Sequence, residues 1–166
     1  MPTPWLTRPY GVLDRRTVDL LTRLLRRRDL EPVVRCRLLE ALTVELDGEA
    51  DPRGPQAGRE ALTISRGLDD PELRALGLAA QLRTLSYELA ATRRRELALE
   101  LRDLADEHGL VAYRWFAEQV IGQAAAALNE PAEVRASIAR QGEIARTYQL
   151  NEAWAIHLAS RAGLAH

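Results

Sequence analysis

The chain has no lysine; all 23 of its basic residues are arginine. Lysine codons are AT-rich and arginine codons GC-rich, so this absence points to a high-GC genome such as an actinobacterial one. It says nothing about mechanism. Cysteine is almost missing too. Cys36 stands alone, which excludes an intramolecular disulfide and any zinc site built on cysteines. It lies in an apolar helical segment from Val33 to Leu46, where a buried structural thiol is expected rather than a nucleophile. Aromatic residues make up 5% against 46% hydrophobic, which suits helices packed through Leu and Ala and argues against an aromatic-rich β-sandwich. An excess of either charge is missing: a net charge of −1 and a pI near 6.3 provide no global field for DNA or an anionic membrane. No apolar run reaches the roughly 18 residues of a membrane span, and no signal peptide is recognisable. A soluble, cytoplasmic protein is expected, with no membrane partner and no direct nucleic-acid contact.

The groupings that carry catalysis are also lacking. Of the three histidines, His108 sits at a helix C-terminus, where an imidazolium complements the dipole. His157 neighbours Trp154 and Ile156 and reads as partly buried and structural, and His166 is the last residue. None has a second ligand at metal spacing. Ser65, Ser86, Ser137 and Ser160 lack the GxSxG context of a nucleophile elbow. The acids Asp69-Asp70 and Asp103, Asp106, Glu107 fall at helix ends and exposed faces, as caps and solvated charge. No enzyme activity, cofactor or metal is expected.

What the chain does have is a period. Ile64, Leu104 and Ile144 fall 40 residues apart, as do Leu76, Phe116 and Ile156, and Leu73, Tyr113 and Ala153. A fixed period of this size marks stacked helix pairs, which serve as binding surfaces more often than as scaffolds for chemistry. No segment alternates with period two, so the fold class is all-α: a right-handed array of antiparallel helical hairpins, tetratricopeptide-like. An irregular stretch covers 1–13 and the helical-repeat domain 14–166. Asp14 is a candidate N-cap for a helix to Arg28, with Val18, Leu21, Leu24 and Leu25 as its apolar stripe. Pro32 opens a second helix and 47–55 is the strongest breaker; a third helix runs from about Gln56 to Leu68. Asp70-Pro71 reads as N-cap and first turn of a fourth helix to about Leu89. Thr92 caps a fifth that stops at Gly109; Leu110 to Leu128 is a sixth, Pro131 to Tyr148 a seventh, and Asn151 caps an eighth to about Arg161. The expected hairpins are 33–68, 71–108 and 110–148, followed by a terminal helix over 151–161.

Several segments, in this order and spacing, resemble one family. They are Trp5-Leu6-Thr7-Arg8-Pro9-Tyr10-Gly11-Val12 before Asp14-Arg15-Arg16, Arg35-Cys36-Arg37-Leu38-Leu39 leading into Ala41 to Leu46, Arg59-Glu60-Ala61-Leu62 with Leu68 to Pro71, and Tyr113-Arg114-Trp115. The chain is similar to the helical-repeat region of the Streptomyces antibiotic regulatory protein class and related regulators with a bacterial transcriptional activator domain. In them an ATPase domain precedes tetratricopeptide-like repeats. The likeness covers most of 5–155 and lies wholly in the repeat part. It departs from the family where chemistry would sit: there is no GxxxxGK[ST] loop and no helix-turn-helix with a basic recognition face. The resemblance therefore implies a repeat module that transmits an input to the other domains of a regulator, the input being a protein or a small-molecule effector. Two alternatives stay open. One is a stand-alone scaffold or oligomerisation protein. The other is a small helical enzyme or hydrophobic-ligand domain, for which a deep pocket lined by Tyr87, Trp115 and Phe116 would be the sign.

For partner contact the sequence offers Arg74 and Arg114, at equivalent positions of successive repeats, with Glu118 beside the second. The run Arg93-Arg94-Arg95 opens a helix, where cations are mildly unfavourable, and is a candidate for an acidic partner. In the last helix Trp154, Ile156 and Leu158 cannot all point inward, since positions two apart lie about 200° round the helix. They are the expected oligomer contact, with a two-fold homodimer as the simplest outcome.

Overall fold

A computed structural model describes residues 13–163. The irregular N-terminal segment and the resemblance carried by Trp5 to Val12 lie outside them, but for Leu13. The described residues form eight helices and no strand: α1 (Arg15–Leu25), α2 (Pro32–Glu45), α3 (Arg53–Arg66), α4 (Pro71–Thr84), α5 (Ala91–His108), α6 (Val111–Ala127), α7 (Pro131–Thr147) and α8 (Asn151–Gly163). None is long and apolar enough to cross a membrane.

Helix starts follow the punctuation in the sequence. Asp14 accepts the backbone N–H groups of Arg16 and Thr17, and Asp70 accepts that of Leu73. Prolines occupy the first position of α2, α4 and α7, where the missing N–H costs nothing. Three stops share one device. Gly109, Asn129 and Gln149 all have left-handed backbones, with φ of 66°, 57° and 53°. Past each, an N–H reaches back to the helix just ended: Leu110 to the Ala105 oxygen, Glu130 to Ala125, Leu150 to Ala145, all at 2.9 Å. From α4 onward the helices begin at Pro71, Ala91, Val111, Pro131 and Asn151, so each start follows the last by 20 residues. The 40-residue spacing of apolar residues is two such steps.

Several boundaries differ from expectation. The first helix ends at Leu25, not Arg28, and the fifth starts at Ala91 with Ala90 in the cap position and no side-chain cap, so Thr92 lies inside it. The fourth helix ends at Thr84, not near Leu89. Thr84 Oγ1 donates to the Gln81 carbonyl and Ser86 Oγ accepts the Leu89 N–H, so hydroxyls replace the helical ladder there. The third begins at Arg53 because Asp51 Oδ1 takes the Arg53 N–H at 2.9 Å.

The helices fall into two compact units, one ending at Leu85 and the other beginning at Ser86. The expected hairpin over 71–108 thus joins a helix of each. In the N-terminal unit α1 packs on α2, and α2, α3 and α4 pack on one another. Its core includes Val18, Leu21, Cys36, Leu39, Leu42, Ala61, Leu73 and Leu78. Cys36 is fully buried, its Sγ 3.6 Å from the Ala61 oxygen, and burial pushes the thiol up to about 11, with Glu40 adding to the effect. In the C-terminal unit α5 packs on α6, α6 on α7, and α7 on α8. There Trp115 is fully buried with Ile144, Ala145 and Ala153, and Trp154 and Ile156 pack against that cluster.

Candidate functional site

The charged residues singled out in the sequence are dispersed by the fold. Arg74 is exposed on α4 in the N-terminal unit, while Arg114 lies on α6 in the other and pairs with Asp106, Nε to Oδ1 at 2.8 Å. Glu118 is not a surface residue. It is 2% exposed, and its Oε2 accepts Arg140 Nε at 2.8 Å. Arg140 reaches on to Glu133 at 2.6 Å, so the pair ties α6 to α7.

The Arg93-Arg94-Arg95 run splits three ways. Arg93 pairs with Glu96 one turn along α5, and Arg95 holds Glu130 at the start of α7 through both guanidinium nitrogens. Arg94 is 2% exposed, 4.2 Å above the Tyr87 ring, and donates from Nη2 to Gln123 Oε1 at 2.6 Å. A single cationic face for an acidic partner does not form. The cost of cations near a helix start is offset by these partners, which sequence spacing cannot reveal.

In α8, Ala153 and His157 are the buried residues, Trp154 and Ile156 are half-buried against the core cluster, and Leu158 is exposed. The α7–α8 contact closes on Gly142. A Cβ there would stand 2.5 Å from His157 Cε1 and 2.6 Å from its Nε2. The imidazole stacks on Trp154 at 5.0 Å between centroids. Burial lowers its pKa first and Arg161 and Arg146 push the same way, against a hydrogen bond to the Ile138 backbone. Tyr87 is exposed, whereas Trp115 is sealed in helix packing with Nε1 donating to the Gln141 carbonyl. Phe116 is buried as well, so among the described residues only Tyr87 of the three presents its ring to solvent.

The feature that the sequence did not mark is a recess of about 210 Å³ among α6, α7 and α8. Gln119, Gly122, Gln123 and Ala126 line it from α6, Val134, Ile138 and Gln141 from α7, and Ser160 from α8. No charged side chain borders it. Gly122 makes it possible, because a Cβ at that position would lie 2.8 Å from Ser137 Oγ. This close approach lets Gln141 Nε2 reach the Glu118 backbone oxygen at 3.4 Å and Ser137 Oγ at 3.3 Å. Ser137 Oγ donates to the same Glu118 oxygen. The only hint in the sequence is the run of uncharged amides beside small residues: Gln119 and Gln123 flanking Gly122, and Gln141 before Gly142.

A second recess, of about 200 Å³, lies in the N-terminal unit among α1, α2 and α3. Arg26, Arg35 and Arg53 border it over Leu39 and Leu42. Two of these guanidiniums are committed. Arg35 donates to Glu60 and to the Leu25 carbonyl, and Arg53 to Asp51 and Thr22, so they serve chiefly to bind the helices together. Among the described residues no group of three His, Cys, Asp or Glu side chains is placed to hold a metal ion.

No family model, curated protein or solved structure matches the chain.

Proposed function

We propose that the chain is a non-catalytic binding module of a transcriptional regulator: a tetratricopeptide-like, right-handed array of helical hairpins working in the cytoplasm. Its recess among α6, α7 and α8 receives a protein partner or another part of the regulator. The observation that carries the reading is the run of five helix starts 20 residues apart, Pro71 to Asn151. Regularly spaced starts, with one kind of stop after α5, α6 and α7, are the mark of a repeat, and repeats offer extended surfaces for recognition. The recess adds a place on that surface with a shape and hydrogen-bonding groups. The regulatory role rests on the resemblance of the segments at 35–46, 59–71 and 113–115 to regulators of the bacterial transcriptional activator class.

The experiment is a titration of the purified chain with the ATPase or DNA-binding segment that accompanies it, in the same polypeptide or an adjacent reading frame. Association with Kd in the micromolar range (about −8 kcal/mol) is the expected result, together with no nucleotide binding tighter than about 1 mM (roughly −4 kcal/mol). Lack of association at about 100 μM (roughly −5.5 kcal/mol), or turnover of a nucleotide by the chain alone, would overturn the proposal.

A further inference from the structure

The recess among α1, α2 and α3 is bordered by three arginines, and only two of them are held by carboxylates of the fold. Arg35 Nε meets Glu60 Oε1 at 2.6 Å, and its Nη1 donates to the Leu25 carbonyl at the end of α1. Arg53 grips Asp51 through Nε and Nη2 and gives Nη1 to Thr22 Oγ1. Arg26 is the third. It is the C-cap residue of α1, it is exposed, and no carboxylate or carbonyl among the described residues takes its guanidinium. Three guanidiniums against two carboxylates leave one positive charge. Asp19 also acts on Arg53, but weakly beside Asp51, and exposed Arg23 one turn on along α1 matches it.

Below these charges the lining is apolar, with Leu25, Leu39, Leu42 and Ala57 as its walls. The volume of about 200 Å³ exceeds the roughly 150 Å³ cavity that accommodates benzene, so a chain of about five carbons fits. One spare cation at the rim of an apolar recess complements a single anion with a hydrocarbon tail. A dianion would bring more charge than Arg26 can match, and its oxygens would lose water against leucines. An acidic side chain of a protein partner carries its carboxylate close to a peptide group. Pressed against Leu39 and Leu42, that peptide group would forfeit its hydrogen bonds. We infer that the recess binds a small, free aliphatic monocarboxylate, with the carboxylate paired to Arg26 and the chain on Leu25, Leu39 and Leu42. The exposed Arg26 side chain turns over the mouth to meet it, so no helix has to move. The N-terminal unit thereby has an effector input of its own, independent of what the C-terminal recess receives.

The test follows the leucine methyl resonances of the full chain, isotope-labelled, with 3-methylbutanoate as the probe. The methyls of Leu25, Leu39 and Leu42 should shift together with a Kd of about 1–10 mM. The uncharged 3-methylbutanamide has the same shape and should bind at least about three-fold more weakly. Acetate, which lacks the branched chain, should bind at least about ten-fold more weakly. Arg26→Gln changes an exposed side chain and should keep the spectrum of a folded protein. It should weaken the acid to the level of the amide and leave the amide's own Kd unaltered. Equal Kd values for acid and amide, acid binding untouched by Arg26→Gln, or no shift of these methyls at about 20 mM probe would overturn the inference. So would inorganic phosphate moving the same methyls as strongly, which would make the recess a general anion patch. N-acetyl-glutamate N-methylamide binding as tightly as 3-methylbutanoate would also overturn it, and would assign the recess to an acidic side chain of a protein.

Discussion

At the residue scale the C-terminal unit depends on groups that look like surface residues in the sequence. Glu118 is the clearest, a carboxylate beneath Arg140 with a side chain only 3% exposed. Removing one partner of a buried pair leaves a charge without compensation, a loss of about 3–5 kcal/mol when the pair is fully enclosed. Arg140 is 38% exposed, so water offsets part of this. Arg140→Ala should therefore cost about 2 kcal/mol in urea unfolding, and the cost should shrink in a Glu118→Gln background. Equal losses in both backgrounds would show that the two side chains are uncoupled. Gln149 is a residue of the opposite kind, since it is exposed and its backbone is left-handed at φ 53°. A side chain there is disfavoured by about 1–2 kcal/mol, part of which glycine gives back as unfolded-state entropy. Gln149→Gly should stabilise the protein by about 0.5–1 kcal/mol, read as a higher urea midpoint at unchanged slope.

At the scale of elements, what could be read in the sequence was the punctuation. Asp14 and Asp70 cap through carboxylates bonded two or three residues on, and Pro71, Pro131 and Gly109 act through their own backbone, so each marks a boundary by local means. The end of α4 was hidden because Leu85 to Leu89 continues a helical pattern of apolar spacing, and only the local bonds of Thr84 and Ser86 break it. The recess was hidden for a different reason: glutamine carries neither charge nor hydrophobic period, and its orientation is decided by residues distant in sequence, Arg94 for Gln123 and the Glu118 carbonyl for Gln141. The docking of α8 has a further consequence. His157 must be neutral to stay buried beside Arg146 and Arg161, so its folded pKa lies below its unfolded value. Its contribution is complete above about pH 6.5 and is lost as pH falls through the lowered folded value, because the unfolded chain then binds the proton first. Carboxylates held low by hydrogen bonds, such as Asp51 with Arg53 and Glu130 with Arg95, lose theirs only at more acid pH. Between about pH 7.5 and pH 5.5, the protection factors of the α8 amides, corrected for the pH dependence of intrinsic exchange, should fall in the wild type and stay level in His157→Gln. A fall of the same size in both would remove His157 as the cause.

At the scale of the whole molecule the open question is self-association, and the structure changes how it is tested. The sequence grouped Trp154, Ile156 and Leu158 as one oligomer contact, but the first two are half-buried against Trp115, Ile144 and Ala153. Replacing Trp154 would disturb the core of the C-terminal unit as well as any interface, and could not separate the two. Leu158 is 47% exposed and absent from that cluster, so it isolates the surface term. Fully burying such a side chain contributes roughly 1.5–3 kcal/mol, and a two-fold contact counts it twice. That approaches the lower end of the association cost, about 4 kcal/mol or more, only with help from its neighbours on α8. The expected outcome is a weak dimer, visible by light scattering behind a sizing column at tens of micromolar protein (roughly −6 kcal/mol). Leu158→Glu should make it monomeric without lowering its melting temperature by more than about a degree or two, since substitutions at exposed positions usually stay within about 0.5 kcal/mol. A wild-type chain that stays monomeric throughout this range would exclude α8 as a self-association surface. A dimer untouched by Leu158→Glu would move the contact to another face of the molecule.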